Sequence, residues 1–327
     1  MKQKKGSAWF ILVLLLSYFF VMCTKGDDKN SQNDKKEGAL QSNMEKGKAG
    51  EVYKVRVEKD VTYLGPGRKE KLDLYIPVNT KSKKVLPGVV YIHGGGWMSG
   101  DRTIERGKTI CTTLAEHGYV CAFIEYKLAT MSENSWPQAL YDCKTAVKFL
   151  RKNAGKYNID PDHIGVFGCS AGANLAALVG TAGAEDNMEP AGLYPGVSSN
   201  VQAVVAMYGI YDMKKFKLKL KNEPWNKKTL AEIFLGVSQE KSPKLWDLAS
   251  PIKHIDGNEP PFLLVHGTAD KGVPVEQSIE MDKKLREAGV PGKLILVEGA
   301  GHSFNLQPEQ KDLRPVVLSF LDEHLKK

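Results

Sequence analysis

Cysteine is scarce in this sequence, and what there is does not suit metal binding. Cys23, Cys111, Cys121, Cys143 and Cys169 form no CxxC pair and no Cys/His cluster at zinc spacing. Three of them, Cys111, Cys121 and Cys143, fall within apolar-periodic segments and read as small core hydrophobes. No arginine-rich patch interleaved with aromatics is present, which argues against nucleic-acid binding. The formal charge of +8 does not reverse that conclusion. Residues 1–50 hold nine Lys against five Asp or Glu, so about half of the excess lies outside the candidate folded region. There is no internal repeat. A hydrophobic content of 42% over 327 residues is enough for a large core that needs no disulfide.

The chain begins with a basic stretch, Met1-Lys2-Gln3-Lys4-Lys5, followed by an apolar run from Ala8 to Met22. A basic segment followed by an apolar one is the pattern of an export signal, so residues 1–22 are set aside from the fold. The alternative is an uncleaved membrane anchor, for which the run is short. Cys23 directly after the run resembles the lipid-attachment cysteine of bacterial lipoproteins, with Met22 where a small residue is usual. Residues 23–50 are polar, lysine-rich and aperiodic, and read as a disordered tether. The expected arrangement is an exported chain held at a bacterial cell envelope by a lipid on Cys23.

From residue 51 onward the pattern changes. Val52, Val55 and Val57 mark one strand, and alternating Leu72, Leu74 and Ile76 mark a second, with Gly65-Pro66-Gly67 as the turn between. Apolar runs at 86–92, 119–126, 163–167, 201–207, 261–266 and 293–297 read as further strands. Helical patterns at 103–117, 137–153, 173–179, 275–288 and 313–325 alternate with them. This alternation predicts an α/β domain over 51–327, a doubly wound and mostly parallel sheet with an antiparallel edge. Residues 183–199 and 212–258 break the rhythm with Pro190, Pro195, Pro224, Pro243 and two Trp, and are expected to be lid insertions or surface elaboration.

One turn organises the rest, Gly168-Cys169-Ser170-Ala171-Gly172, between a buried strand and a helix of small residues. Strand, G-x-S-x-G and helix is the context a nucleophile elbow needs. A glycine-rich turn of any α/β protein would look the same. Ser170 needs a base, because a neutral hydroxyl is a weak nucleophile. Asp270 and His302 each follow a strand, so both fall at the same sheet edge as Ser170. Their order, Ser then Asp then His, matches an acid and base serving that serine. Asp270 could instead cap the helix near Pro274, and His302 could be an ordinary loop histidine. His93 and His266 are read as structural, and Cys169 as a buried neighbour of the serine rather than a rival nucleophile. His93-Gly94-Gly95-Gly96-Trp97 supplies consecutive glycines whose N–H groups can reach an oxyanion. No Lys-Ser/Thr follows it, as a phosphate loop would require.

Together these motifs resemble the α/β-hydrolase esterase/lipase superfamily, from about Tyr53 to Leu325. They are closest to its hormone-sensitive-lipase-like and acetyl-xylan/feruloyl-esterase-like carboxylesterases. The matching pieces are HGGGW at 93–97, SGD at 99–101, Pro137 followed by Asp142, NIDPDHIGVFGCSAGANLAAL at 158–178, SPIKHI at 250–255, PPFLLVHGTAD at 260–270 and GAGHSF at 299–304. The resemblance implies a catalytic triad of Ser170, Asp270 and His302, with oxyanion donors on Gly95, Gly96 and Ala171. It implies an acyl-enzyme mechanism with no metal or organic cofactor. The implied substrates are small or carbohydrate esters with short acyl groups. An amidase on the same triad, or a hydrolase-fold binding protein without turnover, would carry the same motifs.

Overall fold

Strands β1 (Lys54–Val61) and β2 (Leu72–Val78) pair antiparallel, as expected for neighbours with no helix between them. The computed structural model describes residues 52–78, 84–183, 186–219 and 228–326. The export segment 1–22, Cys23, the tether to residue 50, Pro224 and Trp225 lie outside the described residues.

β2 lies antiparallel beside β4 (Val120–Ile124), and from there the sheet is parallel. It continues through β3 (Leu86–Ile92), β5 (Ile159–Cys169), β6 (Ala203–Met207), β7 (Phe262–Gly267) and β8 (Gly292–Val297). The spatial order is β1-β2-β4-β3-β5-β6-β7-β8. The chain thus steps outward from β3 to β4 and then returns across β3 to β5. Loops leaving β3 and β5 diverge at that reversal and open a crevice at the carboxyl edge.

Alternate strand residues serve two cores. Val90, Ile92, Val166 and Val204 pack with α2 (Gln138–Lys152), α4 (Ala171–Thr181) and α7 (Glu276–Glu287). Val89, Tyr91, Phe167 and Val205 pack with α1 (Glu105–Glu116) and α8 (Arg314–Leu325). With both faces covered, β2 is buried at Asp73 and Tyr75 as well as at its Leu and Ile positions. Asp73 tolerates this because Arg102 reaches it. The short α3 (Ala154–Tyr157) leads into β5. β5 starts four residues earlier than its apolar run suggests, because Ile159 already pairs with Leu86 before a register irregularity. Pro137 caps α2 rather than entering its first turn, and follows a cis bond from Trp136.

The two insertions behave differently. Residues 186–200 are held against α2. Glu189 takes Lys148 at 2.6 Å and Lys144 at 3.4 Å, and accepts from the Ser199 hydroxyl at 2.6 Å. Burial pulls the Lys144 ammonium down from its ordinary pKa, with Glu189 opposing. The second insertion carries α5 (Leu230–Leu235) and α6 (Pro243–Leu248) and reaches the crevice.

Candidate active site

Ser170 ends the turn between β5 and α4 at φ +56° and ψ −122°, a conformation that L-residues seldom adopt. The flanking glycines make it possible. A Cβ on Gly168 would stand 2.1 Å from the Gly172 carbonyl oxygen, and one on Gly172 would stand 2.2 Å from that of Ile92. Backbone atoms are in the way at both places, so no side chain can swing aside. The Ser170 N–H donates to the Met207 carbonyl at 2.9 Å, tying the elbow to β6 and leaving the hydroxyl to project.

The hydroxyl meets His302 Nε2 at 2.9 Å, and His302 Nδ1 meets Asp270 Oδ2 at 2.6 Å. A carboxylate only accepts, so the His302 proton sits on Nδ1 and Nε2 is free to accept from the serine. The residues are 132 and 32 positions apart in sequence and are brought together by the loops after β5, β7 and β8. Asp270 Oδ1 accepts the N–H groups of Gly272 at 2.8 Å and Val273 at 2.9 Å. Asp270 therefore shapes its own loop as well as facing His302. Burial opposes its ionisation, but hydrogen bonds from His266 and His302 outweigh burial and hold the carboxyl well below the usual carboxylate range.

The three expected oxyanion donors belong to the elbow and to the glycine loop beside it. Ala171 opens α4, where first-turn N–H groups have no intrahelical acceptor. Gly95 and Gly96 take φ of +117° and +62°. The Gly95 carbonyl accepts the N–H groups of Met98 and Ser99 at 3.1 Å each, which fixes the loop. A Cβ on Gly94 would sit 3.1 Å from the Ser170 Cβ, so the loop lies directly against the elbow. His93 donates from Nδ1 to the Gly94 carbonyl at 2.7 Å and stacks on Tyr126 at 4.5 Å. Its burial pushes the imidazole down to about 4. Cys169 is buried with the Tyr91 hydroxyl 3.5 Å from its sulfur, and burial pushes its thiol up, away from thiolate chemistry.

Several residues at the site carry no mark in the sequence. Arg106 donates to the Ser303 carbonyl at 2.5 Å, and the Tyr208 hydroxyl donates to the Phe304 carbonyl at 2.6 Å. The Tyr208 ring also stands edge-on to His302 with centroids 5.0 Å apart. The two residues after His302 are thereby pinned from two directions. His266 is more than structural. Its Nε2 lies 3.1 Å from Asp270 Oδ2 and 3.1 Å from the Val273 carbonyl, both acceptors, so it must carry a proton there. Its Nδ1 meets the Ser278 hydroxyl at 2.7 Å. Only the HGTAD stretch hinted at it.

The cavity over Ser170 measures about 480 Å³. Its lining includes the apolar Ile210, Phe216, Leu218, Leu230 and Val273 and the polar Ser99, Arg106 and Ser303. Phe216, Leu218 and Leu230 come from the second insertion. Among the described residues, none of 186–199 lines this cavity.

Comparison with known proteins identifies the family of the chain. The BD-FAE family profile matches residues 72–285. The chain is 36% identical over 228 residues to esterase LipC of Mycobacterium tuberculosis, covering 68% of this chain and 54% of LipC. It is 30% identical over 250 residues to esterase LipQ of the same organism, covering 76% of this chain and 57% of LipQ. The chain thus spans about half the length of these curated relatives. Among solved structures, a truncated carbohydrate esterase from gut microbiota superposes with a TM-score of 0.71 at 27% identity, covering 86% of this chain and all of that one. Esterase Est2 of Thermogutta terrifontis with bound propionate superposes with a TM-score of 0.62 at 25% identity, covering 83% of this chain and 93% of that one.

Proposed function

The chain belongs to the BD-FAE family of α/β-hydrolase carboxylesterases, and from that premise we propose that it is a serine esterase that removes short acyl groups from sugars or plant polysaccharides. The observation that carries the reading is the unbroken hydrogen-bond line from Ser170 through His302 to Asp270, set against a glycine loop inside one cavity.

In this reading the Ser170 oxygen attacks the ester carbonyl carbon while His302 Nε2 takes the hydroxyl proton. Negative charge gathers on the former carbonyl oxygen, and the N–H groups of Gly95, Gly96 and Ala171 are its donors in this scheme. Asp270 stays ionised and holds the imidazolium. The carbon–oxygen bond to the alcohol then breaks, and His302 returns the proton to the departing alcohol. Water, deprotonated by His302, attacks the acyl-serine and frees the acid. The apolar residues of the cavity suit a short acyl group, and its polar residues suit the alcohol. Support for a carbohydrate alcohol comes from the likeness to the gut-microbiota carbohydrate esterase.

A fluorophosphonate probe tests the chemistry. It should label Ser170, and Ser170→Ala should lower ester turnover by about four to six orders of magnitude. Survival of a tenth of the activity would refute the assignment. A screen of acetyl, butyryl and feruloyl esters tests the acyl range. The reading extends to location, with Cys23 as an acylated mature N-terminus and residues 24–50 as its tether. Several acyl chains on one cysteine hold far more firmly than one, at about 0.8 kcal/mol per buried CH₂. Mass spectrometry of the mature N-terminus, with Cys23→Ser as control, decides it. An unmodified terminus would count against acylation.

A further inference from the structure

The cavity over Ser170 has no carboxylate in its wall among the described residues, and Arg106 is the permanent charge there. Arg106 has no Asp or Glu partner among the described residues. One of its five N–H groups is committed to the Ser303 carbonyl, which holds the guanidinium in place and leaves the others to face a ligand. Arg106 and Ser303 also border a second, shallower cavity of about 390 Å³, whose lining includes Glu105 and Glu309 as well.

The second insertion, which supplies Phe216, Leu218 and Leu230 to the cavity, is rich in lysine. Residues 215–219 alternate basic and apolar side chains, Lys215-Phe216-Lys217-Leu218-Lys219. Phe216 and Leu218 turn into the cavity. Lys214 and Lys215 are neutralised by Asp247 at 2.7 Å and Glu280 at 2.6 Å. Lys217 meets Gln239 at 2.8 Å and the Trp246 ring, with the Glu240 carboxylate close enough to feel its charge. Lys219 pairs with Thr229 in an isolated antiparallel bridge, one residue after Lys228, and both lysines are exposed. Neither has an acidic partner among the described residues. Carboxylates near the mouth are few. Glu105 is engaged by Lys108 at 3.6 Å, and Glu309 borders the outer cavity. Like charges held together without counter-charge cost stability, and at the entrance of a site they select an anionic partner and speed its arrival.

We propose that the ester substrate is borne on a polyanionic carbohydrate, a chain of acylated sugars carrying carboxylates. One carboxylate seats on Arg106, in the bidentate manner a guanidinium allows, and its neighbours along the chain are drawn by Lys219 and Lys228. The inference rests on the esterase reading and specifies its alcohol side. Arg106 is a specificity residue in this scheme, with a second part in holding the His302 loop.

The test compares kcat/KM for acetate release from acetylated polygalacturonate and from an acetylated neutral β-glycan, with 4-nitrophenyl acetate as a small reference. At low salt the acidic polymer should be preferred by at least about tenfold. The preference should collapse near 0.5 M NaCl, because screening lengths of about 10 Å at 0.1 M shrink to a few ångströms. The ratio between polymers should fall at least about fivefold in Arg106→Gln, and again in the double variant Lys219→Gln/Lys228→Gln. A ratio near one in the unaltered protein, or one untouched by both variants, overturns the proposal. Turnover of 4-nitrophenyl acetate with neither polymer cleaved would instead overturn the carbohydrate reading beneath it. Absence of Ser170 labelling would overturn the esterase reading itself.

Discussion

Acidification should destabilise the domain through His93. The imidazole is buried at the start of the oxyanion loop, between Tyr126 and the turn at Gly100, and burial pushes it down from 6.5 to about 4. The unfolded chain binds this proton near pH 6.5, while the folded protein refuses it until about pH 4. Stability contributed by the neutral form is therefore complete above pH 6.5 and drains away as pH falls toward the folded value. The loss amounts to about 2 kcal/mol at pH 5 and about 3 kcal/mol at pH 4, a sizeable part of a total of about 5–15 kcal/mol. The assay is urea unfolding at pH 7, 6, 5 and 4, run on the unaltered domain and on His93→Asn. Other titrating groups contribute to both proteins, so the difference between the two pH slopes isolates His93. The variant should start less stable at pH 7 and lose about 3 kcal/mol less on the way to pH 4. Parallel slopes would refute the reasoning, since they would mean that the folded protein protonates His93 as readily as the unfolded chain does.

Three further outcomes can be checked. His266→Phe removes one charge-assisted donor from Asp270 and should lower kcat about 10- to 100-fold with KM little changed, whereas His266→Gln, which keeps an N–H, should recover most of it; steady-state kinetics of both variants decide. Cys169→Ala should keep most esterase activity, because the thiol packs beneath the elbow against Tyr91; inactivation of a protein with intact circular dichroism would contradict this. Leu230→Ala should shift preference toward longer acyl chains, since Leu230 lines the cavity and its Cδ1 stands 3.0 Å from where a Cβ on Gly96 would lie; a profile of acetyl to octanoyl esters reads the shift.

The strands and the triad positions could be read from the sequence because each rests on a local rule. Apolar runs of five to seven residues bounded by turns make strands, and functional residues directly after a strand must lie at its carboxyl edge. Ser170, Asp270 and His302 each satisfy that rule by themselves. Arg106 and Tyr208 satisfy none. Arg106 is an ordinary polar residue of α1, and its place by His302 follows only from how α1 lies against the loop after β8. Tyr208 reads as the end of an apolar run. His266 comes near the end of a strand, where a structural role explained it. Which insertion forms the cavity was equally hidden. Both are rich in proline, but 186–200 is fixed to α2 by Glu189, while the stretch from 212 faces Ser170 because Phe216 and Leu218 alternate into the cavity.

The placement of His302 has a consequence for durability. Ser170 stands at the middle of the sheet, whereas His302 hangs from β8, the last strand, with β7 as its single neighbour and Leu296 turned toward solvent. Edge elements open more often than central ones, at a fraction of the free energy of global unfolding. When β8 opens, the base departs while the strained serine and both cores persist. Heat should therefore silence the protein some degrees before it melts, leaving an inactive but folded population that regains activity on cooling. Amide exchange in β8 should be the faster clock and exchange in β5 the slower, with turnover following the faster.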